Sequence, residues 1–415
     1  METLAKHSEG LRRRDLTRMK RPKVCKRLAF FCSSLAPGRD GVGDYTRRLA
    51  GELIRQGHPS IAIALNDPHA PKTILEQQEI EGASVSVLRL PSNLPWSQRT
   101  IEIQNRLASF EPDWISLQFV PFGFHPKGLC LGVGKTLLAI NTKASWHMMF
   151  HELWLGLGQN SSMKDRVWGG LQRSIVRDLI ERLRPRIVQT QTEPYRTVLN
   201  QEGIKATLLP LFGNIPPVKG DGWDRILEPL ISQLFGTPQD RAQLYLAGIF
   251  GAVHPEWDAG QVVDALLPLV QRSQKQLVLV FLGKSNLTFE AADVLRSRLL
   301  NRAVIVAIGE RTDAEISKIL QTLDLGLATS PRQVIQKSGS VAAMLEHGLP
   351  VLVTRDDWHL RGPGAPQEPT SSRLLFPEDF AALETLPARA AQPLQERTVR
   401  QVASQFLEAI LLPST

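Results

Sequence analysis

A chain of 415 residues, 42% apolar and 22% charged, is too long for one small core and too apolar for a disordered polypeptide. Its net charge of +8 sits at one end: residues 1–27 hold ten Lys or Arg against three acids, +7 of the total, so no folded unit is basic enough to read as a nucleic-acid binder. No run approaches the roughly 18 apolar residues of a membrane span, and Cys25, Cys32 and Cys130 form no C-x-x-C pair, which excludes a zinc site of that kind and fits a reducing, cytoplasmic setting.

In chain order, residues 1–26 are a basic tail, expected to be disordered and able to make a weak peripheral contact with anionic lipid on the inner face of a membrane. Met19 offers a second start within it. A first unit spans 27–217. Arg27 to Ser34 reads as a buried strand, Leu35 to Asp44 as a glycine-rich loop, and Tyr45 to Gln56 as a helix stopped by Gly57. Gly38, Gly41 and Gly43 let the backbone approach a ligand closely, or merely make the connection flexible. Strands follow at Ser60 to Leu65, Val85 to Leu90 and Trp114 to Val120, with helical patterns between several of them, the alternation of a parallel sheet.

Gly132-Val133-Gly134-Lys135-Thr136 invites a P-loop reading, but that motif needs a glycine where Leu129 stands, and Lys135 to Asn141 reads as a helix. Ala144 to Trp154 reads as a strand with His151 and Glu152 at its carboxyl end, where ligands gather in open α/β sheets. The strand assignment argues against a His147/His151 metal pair, and a buried histidine satisfied by a neighbour is the competing reading. A helix over Arg166 to Arg184, a strand at Arg186 to Thr190, a helix at Tyr195 to Gln201 and a strand at Ala206 to Leu211 complete the unit.

Residues 218–240 read as a linker, and 241–394 as a second unit. Its strands are expected at Gln243 to Phe250, Leu277 to Leu282, Val304 to Ile308 and Leu323 to Ala328, with helices at Gln261 to Gln271 and Glu315 to Thr322. Next, Lys337-Ser338-Gly339-Ser340 leads into a short Ala/Met/Leu helix that Gly348 and Pro350 stop before another apolar strand. Free N–H groups, two hydroxyls and an ammonium at a helix start suit a phosphate, although Ser is also an ordinary N-cap. Residues 395–415 contain an amphipathic helix over about Glu396 to Leu411, able to cross back to the first unit.

Pro37-Gly38-Arg39-Asp40-Gly41-Val42-Gly43-Asp44-Tyr45, followed by Leu53 and Gly57-His58, resembles the first loop and helix of GT-B-fold glycosyltransferases similar to glycosyltransferase family 4. The His151-Glu152 strand end, the Leu209 to Ile215 crossover and the Ala342 to Val351 run with its Lys337 lead-in agree with it in order and spacing. The resemblance implies an α/β, GT-B architecture: two Rossmann-like domains with parallel sheets facing across a cleft, acceptor on the first and nucleotide-sugar donor on the second. It also implies two glutamates eight positions apart before the Ala-Met helix. Ile335 and Ala343 occupy those positions here, and the family's basic pair is not evident after Phe250-Gly251.

The expected activity is transfer of a sugar from a nucleotide-sugar donor to a glycan, lipid or small-molecule acceptor, with retention of configuration by analogy. His151 and Glu152 are the candidate catalytic residues, and Gly41, Gly43 and Asp44 the acceptor side. Lys337, Ser338, Gly339 and Ser340, helped by Lys284 and His254, would hold the donor diphosphate, because negative charge develops there as it leaves. No cofactor and no metal are expected, since the chain lacks a D-x-D pair. The missing glutamates keep two alternatives open: a catalytically silent GT-B protein that binds a sugar nucleotide or a partner enzyme, and a sugar-nucleotide epimerase.

Overall fold

The computed structural model describes residues 25–220, 222–283, 293–295, 297–298, 303–363, 371–390 and 397–411. Residues 1–24 of the basic tail, and Lys284, lie outside them.

Eight strands form the first sheet: β1 (Leu28–Cys32), β2 (Ser60–Asp67), β3 (Ile74–Ile80), β4 (Ala83–Pro91), β5 (Trp114–Phe119), β6 (Ser145–Phe150), β7 (Ile187–Thr190) and β8 (Thr207–Leu208). Their order is β3-β4-β2-β1-β5-β6-β7-β8. Every pair is parallel except β3 with β4. The central strands are buried on both faces, which is why β1 reads as an unbroken Leu-Ala-Phe-Phe-Cys run. Strand β3 was not expected. Its Ile-Leu-Glu-Gln-Gln-Glu-Ile alternates inward and outward, as suits an edge, and a two-residue turn at Glu81-Gly82, both at positive φ, returns the chain antiparallel into β4.

The second sheet contains β9 (Leu244–Phe250), β10 (Gln276–Leu282), β11 (Ala303–Gly309), β12 (Leu325–Ala328), β13 (Val351–Val353) and β14 (Leu374–Leu375), in the order β11-β10-β9-β12-β13-β14 and parallel throughout. Apolar clusters fill both faces of both sheets. These are two Rossmann-like α/β domains.

Two departures from the sequence reading have local causes. The first helix starts at Gly41 rather than Tyr45, because the Asp40 carboxylate accepts a hydrogen bond from the Gly43 N–H at 2.7 Å and turns the glycine-rich stretch into a capped first turn. The strand expected over Ala206 to Leu211 shrinks to Thr207–Leu208, since it is an edge and Pro210 cannot extend a ladder.

The chain joins the domains in several places. The helix Val399–Leu411 buries Val402, Ala403 and Phe406 in the first domain's core, with the Phe406 ring 5.8 Å from that of Phe30. At the crossover, the Gly213 N–H donates to Glu346 Oε2 at 3.0 Å, and the Arg48 guanidinium, 3.5 Å from Glu346, donates to the Gly213 carbonyl. A Cβ at Gly213 would stand 2.6 Å from Ala343 Cα, so only glycine permits this approach.

Candidate functional site

The carboxyl ends of the strands open on a cleft of about 440 Å³ between the domains. Its first-domain wall is made by the start of the helix Gly41–Arg55 and by His151, Glu152 and Gln191, which leave β6 and β7. Lys337 and Gly339 face them from the second domain. An adjoining hollow of about 420 Å³ shares Phe122, Glu152 and Lys337 with this cleft and is bounded on its far side by His254 and Trp358.

Of the residues expected on the acceptor side, Gly41 lines the cleft. Gly43 has a packing role, since a Cβ there would fall 2.3 Å from the Ser34 carbonyl oxygen. Asp44 accepts from the Gly38 N–H at 3.0 Å, pairs with Arg47 and lines a separate hollow with Arg48 and Asn214. Asp40, not singled out from the sequence, lines the cleft itself. Burial raises its carboxyl pKa, partly offset by the Gly43 and Val42 N–H groups.

His151 is buried and doubly bonded. Gln191 Nε2 donates to its Nδ1 at 2.9 Å, and its Nε2–H donates to Gln118 Oε1 at 2.8 Å. The chain runs on through the sheet. Gln118 Nε2 donates to Ser116 Oγ at 2.6 Å, the Ser116 hydroxyl to His147 Nδ1 at 2.7 Å, His147 Nε2–H to Gln189 Oε1 at 3.1 Å, and Gln189 Nε2 to Thr207 Oγ1 at 3.3 Å. Every step runs in one direction only if both histidines are neutral with the proton on Nε2. Desolvation agrees, lowering His147 to about 4 and His151 to about 3. The sequence carries a signal for this arrangement: Ser116-x-Gln118 and Gln189-x-Gln191 put polar residues two apart on the strands that flank His147.

Tyr45 completes this wall. Its ring stacks on Phe212 at 4.5 Å and meets the edge of His151 at 5.0 Å. Its buried hydroxyl has no hydrogen-bond partner among the described residues.

On the opposite wall, Lys337 ends a 3₁₀ turn over Arg332–Lys337, and Ser338 caps the helix Gly339–Glu346 by accepting from the Val341 N–H. Lys337 reaches across the cleft: Nζ donates to Tyr195 Oη at 3.0 Å and stands 3.6 Å from Glu152 Oε1. Burial acts to lower its pKa, but the Tyr195 and Glu152 oxygens outweigh that and hold it up at about 12, so the ammonium is permanent. Ser340 meets the second domain's first loop, where a Cβ on Gly251 (φ +92°) would lie 2.8 Å from Ser340 Oγ. His254 sits beyond that loop, half exposed, its pKa lowered by burial and then by Arg355, which is itself bonded to Glu256, Asp357 and the Thr329 carbonyl. Lys337, Ser338, Gly339, Ser340 and His254 therefore cluster around the loop ends of β9 and β12. Ile335 and Ala343 are wholly buried in the second domain's core. Among the described residues, no three His, Cys, Asp or Glu side chains are grouped to hold a metal.

No protein-family model matches the sequence, and no curated protein is similar to it. Solved structures are. The E. coli trehalose-6-phosphate structure bound with UDP-2-fluoro glucose superposes with a TM-score of 0.54 at 9% identity, over 94% of this chain and 100% of that one. The α,α-trehalose-phosphate synthase (UDP-forming) from Burkholderia xenovorans, in complex with glucose-6-phosphate, gives 0.54 at 12%, over 92% and 99%. These are GT-B glycosyltransferases, and the likeness shows the fold: two parallel-sheet Rossmann-like domains facing across a cleft.

Proposed function

We propose that the protein transfers a sugar from a nucleoside-diphosphate sugar to an acceptor held against the first domain. The observation that carries this reading is Lys337, the one Lys or Arg side chain among the described residues lining the cleft, set beside a helix N-terminus and the Gly251–Ser340 contact. Breaking the glycosidic bond to a diphosphate leaves negative charge on the departing phosphate. A permanent ammonium, the Ser340 hydroxyl and the first N–H groups of the Gly339–Glu346 helix are the donors to meet it. Lys337 must leave Glu152 to do so, and Glu152, on the acceptor wall, is then a free carboxylate. His151 is committed on both ring nitrogens, so its part is to hold Gln191 and the Tyr45 ring in place against the sugar rather than to move a proton. The unpartnered Tyr45 hydroxyl and the Gln191 amide are groups that a sugar hydroxyl would meet. Charge neutralisation by Lys337 supports a metal-independent reaction, and a retaining outcome is carried over from the family resemblance.

UDP-glucose is the first donor to test and a hexose phosphate the first acceptor, because the two structural neighbours hold UDP-2-fluoro glucose and glucose-6-phosphate. UDP-sugars should raise the melting temperature of the wild type, and Lys337→Ala should weaken UDP binding by at least about tenfold, the equivalent of one charge-assisted hydrogen bond. Unchanged UDP affinity in that variant would sink the phosphate assignment. A second reading, a GT-B protein that binds a sugar nucleotide without turning it over, is favoured by the apolar side chains of Ile335 and Ala343. Saturable binding with no product across a broad acceptor panel would select it.

A further inference from the structure

Beyond the cleft, one face of the first domain has an unusual surface. Of the ten large apolar side chains exposed among the described residues, six (Phe122, Leu131, Leu138, Met163, Val167 and Leu171) lie on two segments that run along each other, residues 121–138 and the helix Met163–Leu183, with Lys127 at Trp168 and Gly134 at Asp178 and Leu179. Met163, Val167 and Leu171 stand at i, i+4 and i+8, one stripe of that helix, each at least 50% exposed. Leu131, at 78%, is the most exposed of all. Scattered apolar residues on a surface need no explanation, but a contiguous group does.

The charge on this face is net positive, the helix Met163–Leu183 itself carrying five Lys or Arg against three acids. Residues 120–151 contain Lys127, Lys135 and Lys143, and their only acidic neighbour in sequence is Glu152, in the cleft. Lys127, Lys135 and Lys164 have no carboxylate partner among the described residues. Of the helix's three acids, Asp178 is paired with Arg182, Asp165 accepts from the Ser162 hydroxyl, and Glu181 is exposed near the helix's far end. Trp168 lies between Lys127 and Lys164, its indole N–H donating to the Lys127 carbonyl at 2.8 Å. Apolar side chains rimmed by free lysines, with a tryptophan whose polar edge is tied down, are the composition of a face that rests in a lipid headgroup layer. A second copy of the chain would bring the same lysines against themselves.

The face is also continuous with the cleft. A hollow of about 340 Å³ at Lys127, Lys164 and Trp168 shares Leu155 and Asp165 with the hollow beside His254, which in turn shares Phe122, Glu152 and Lys337 with the cleft. We propose that this face docks the protein on an anionic bilayer, with the mouth of the cleft at the headgroup level. The docking does not depend on the cleft's chemistry.

Full-length protein is sedimented with phosphatidylcholine vesicles, with and without phosphatidylglycerol, at low and high salt. Binding is expected only with phosphatidylglycerol and should weaken as salt is added. Lys127→Glu, Lys135→Glu and Lys164→Glu combined should lower the partition by about a hundredfold. Leu131→Ser, Val167→Ser and Leu171→Ser combined should lower it by at least about tenfold. All six positions are exposed, so unchanged melting curves verify the fold. Replacing the Lys and Arg of residues 1–24 by Gln should leave most of the binding. Loss of binding in that tail variant with retention in the patch variants would overturn the proposal. So would an absence of vesicle binding, or a patch whose substitution only dissolves a lipid-free oligomer.

Discussion

The two walls of the cleft are built on opposite plans. In the first domain, hydrogen bonds are donated in one direction from Gln191 and His151 through Gln118, Ser116, His147 and Gln189 to Thr207 across four adjacent strands, so the polar groups behind this wall are neutral and satisfied from within its own sheet. In the second domain the wall is a loop and a helix start carrying one permanent cation, and that cation borrows its partners, Tyr195 and Glu152, from across the cleft. A wall satisfied from within can present a fixed shape to a neutral sugar. A wall satisfied from across the cleft can exchange its partner for a more highly charged one, as a diphosphate would be.

Acid should act on the histidines behind both walls, two behind the first and one behind the second. His147 and His151 are held at about 4 and about 3 in the fold, and His347, bonded to the Ala343 carbonyl and Ser317, at about 4. A depressed histidine pKa means that the unfolded chain binds protons the folded one refuses. Stability is thus complete above about pH 6.5 and falls as pH drops toward 4, by about 1.4 kcal/mol per pH unit for each histidine. Urea unfolding between pH 7 and 4.5 should show a limiting slope of about 4 kcal/mol per pH unit from the three together. A flat profile would mean that the chain of hydrogen bonds does not hold neutral rings.

The join between the walls should show the next largest effect. Glu346→Ala leaves Arg48 buried with only Glu81 as its carboxylate and the Gly213 N–H unbonded, and should cost about 3 kcal/mol in urea unfolding. Glu346→Gln, which keeps an oxygen for Gly213, should lose about half of that. Equal losses would show that charge alone matters there.

The smallest effect sharpens the contrast. Glu152 is 44% exposed on its side chain, so Glu152→Gln should change stability by less than about 1 kcal/mol. If Lys337 meets the donor diphosphate as proposed, Glu152 competes for it, and the same substitution should tighten UDP binding a few-fold, read by calorimetry, whereas Lys337→Ala should weaken it. Weaker binding in Glu152→Gln would mean that the carboxylate positions the lysine instead of competing for it.

Much of this architecture was legible in the residues alone. Apolar runs of strand length separated by helical periodicity and Gly or Pro stops are local signals, and they define the two parallel α/β units and place Gly41, His151, Glu152 and Lys337 at the carboxyl ends of strands. Asp40 as a cap was local too, though the glycines around it disguised the helix start. Strand β3 was hidden because a polar edge strand carries little apolar signal. Other properties depend on partners far away in the chain, and tertiary structure decided them. Lys337 meets Tyr195, 142 positions distant, Gly213 meets Glu346, 133 distant, and His151 owes its neutrality to burial and its two hydrogen bonds to Gln118 and Gln191, which only the sheet order brings beside it. Periodicity says which face a side chain takes. Which group waits there, and with what proton, is settled only when the strands are laid side by side.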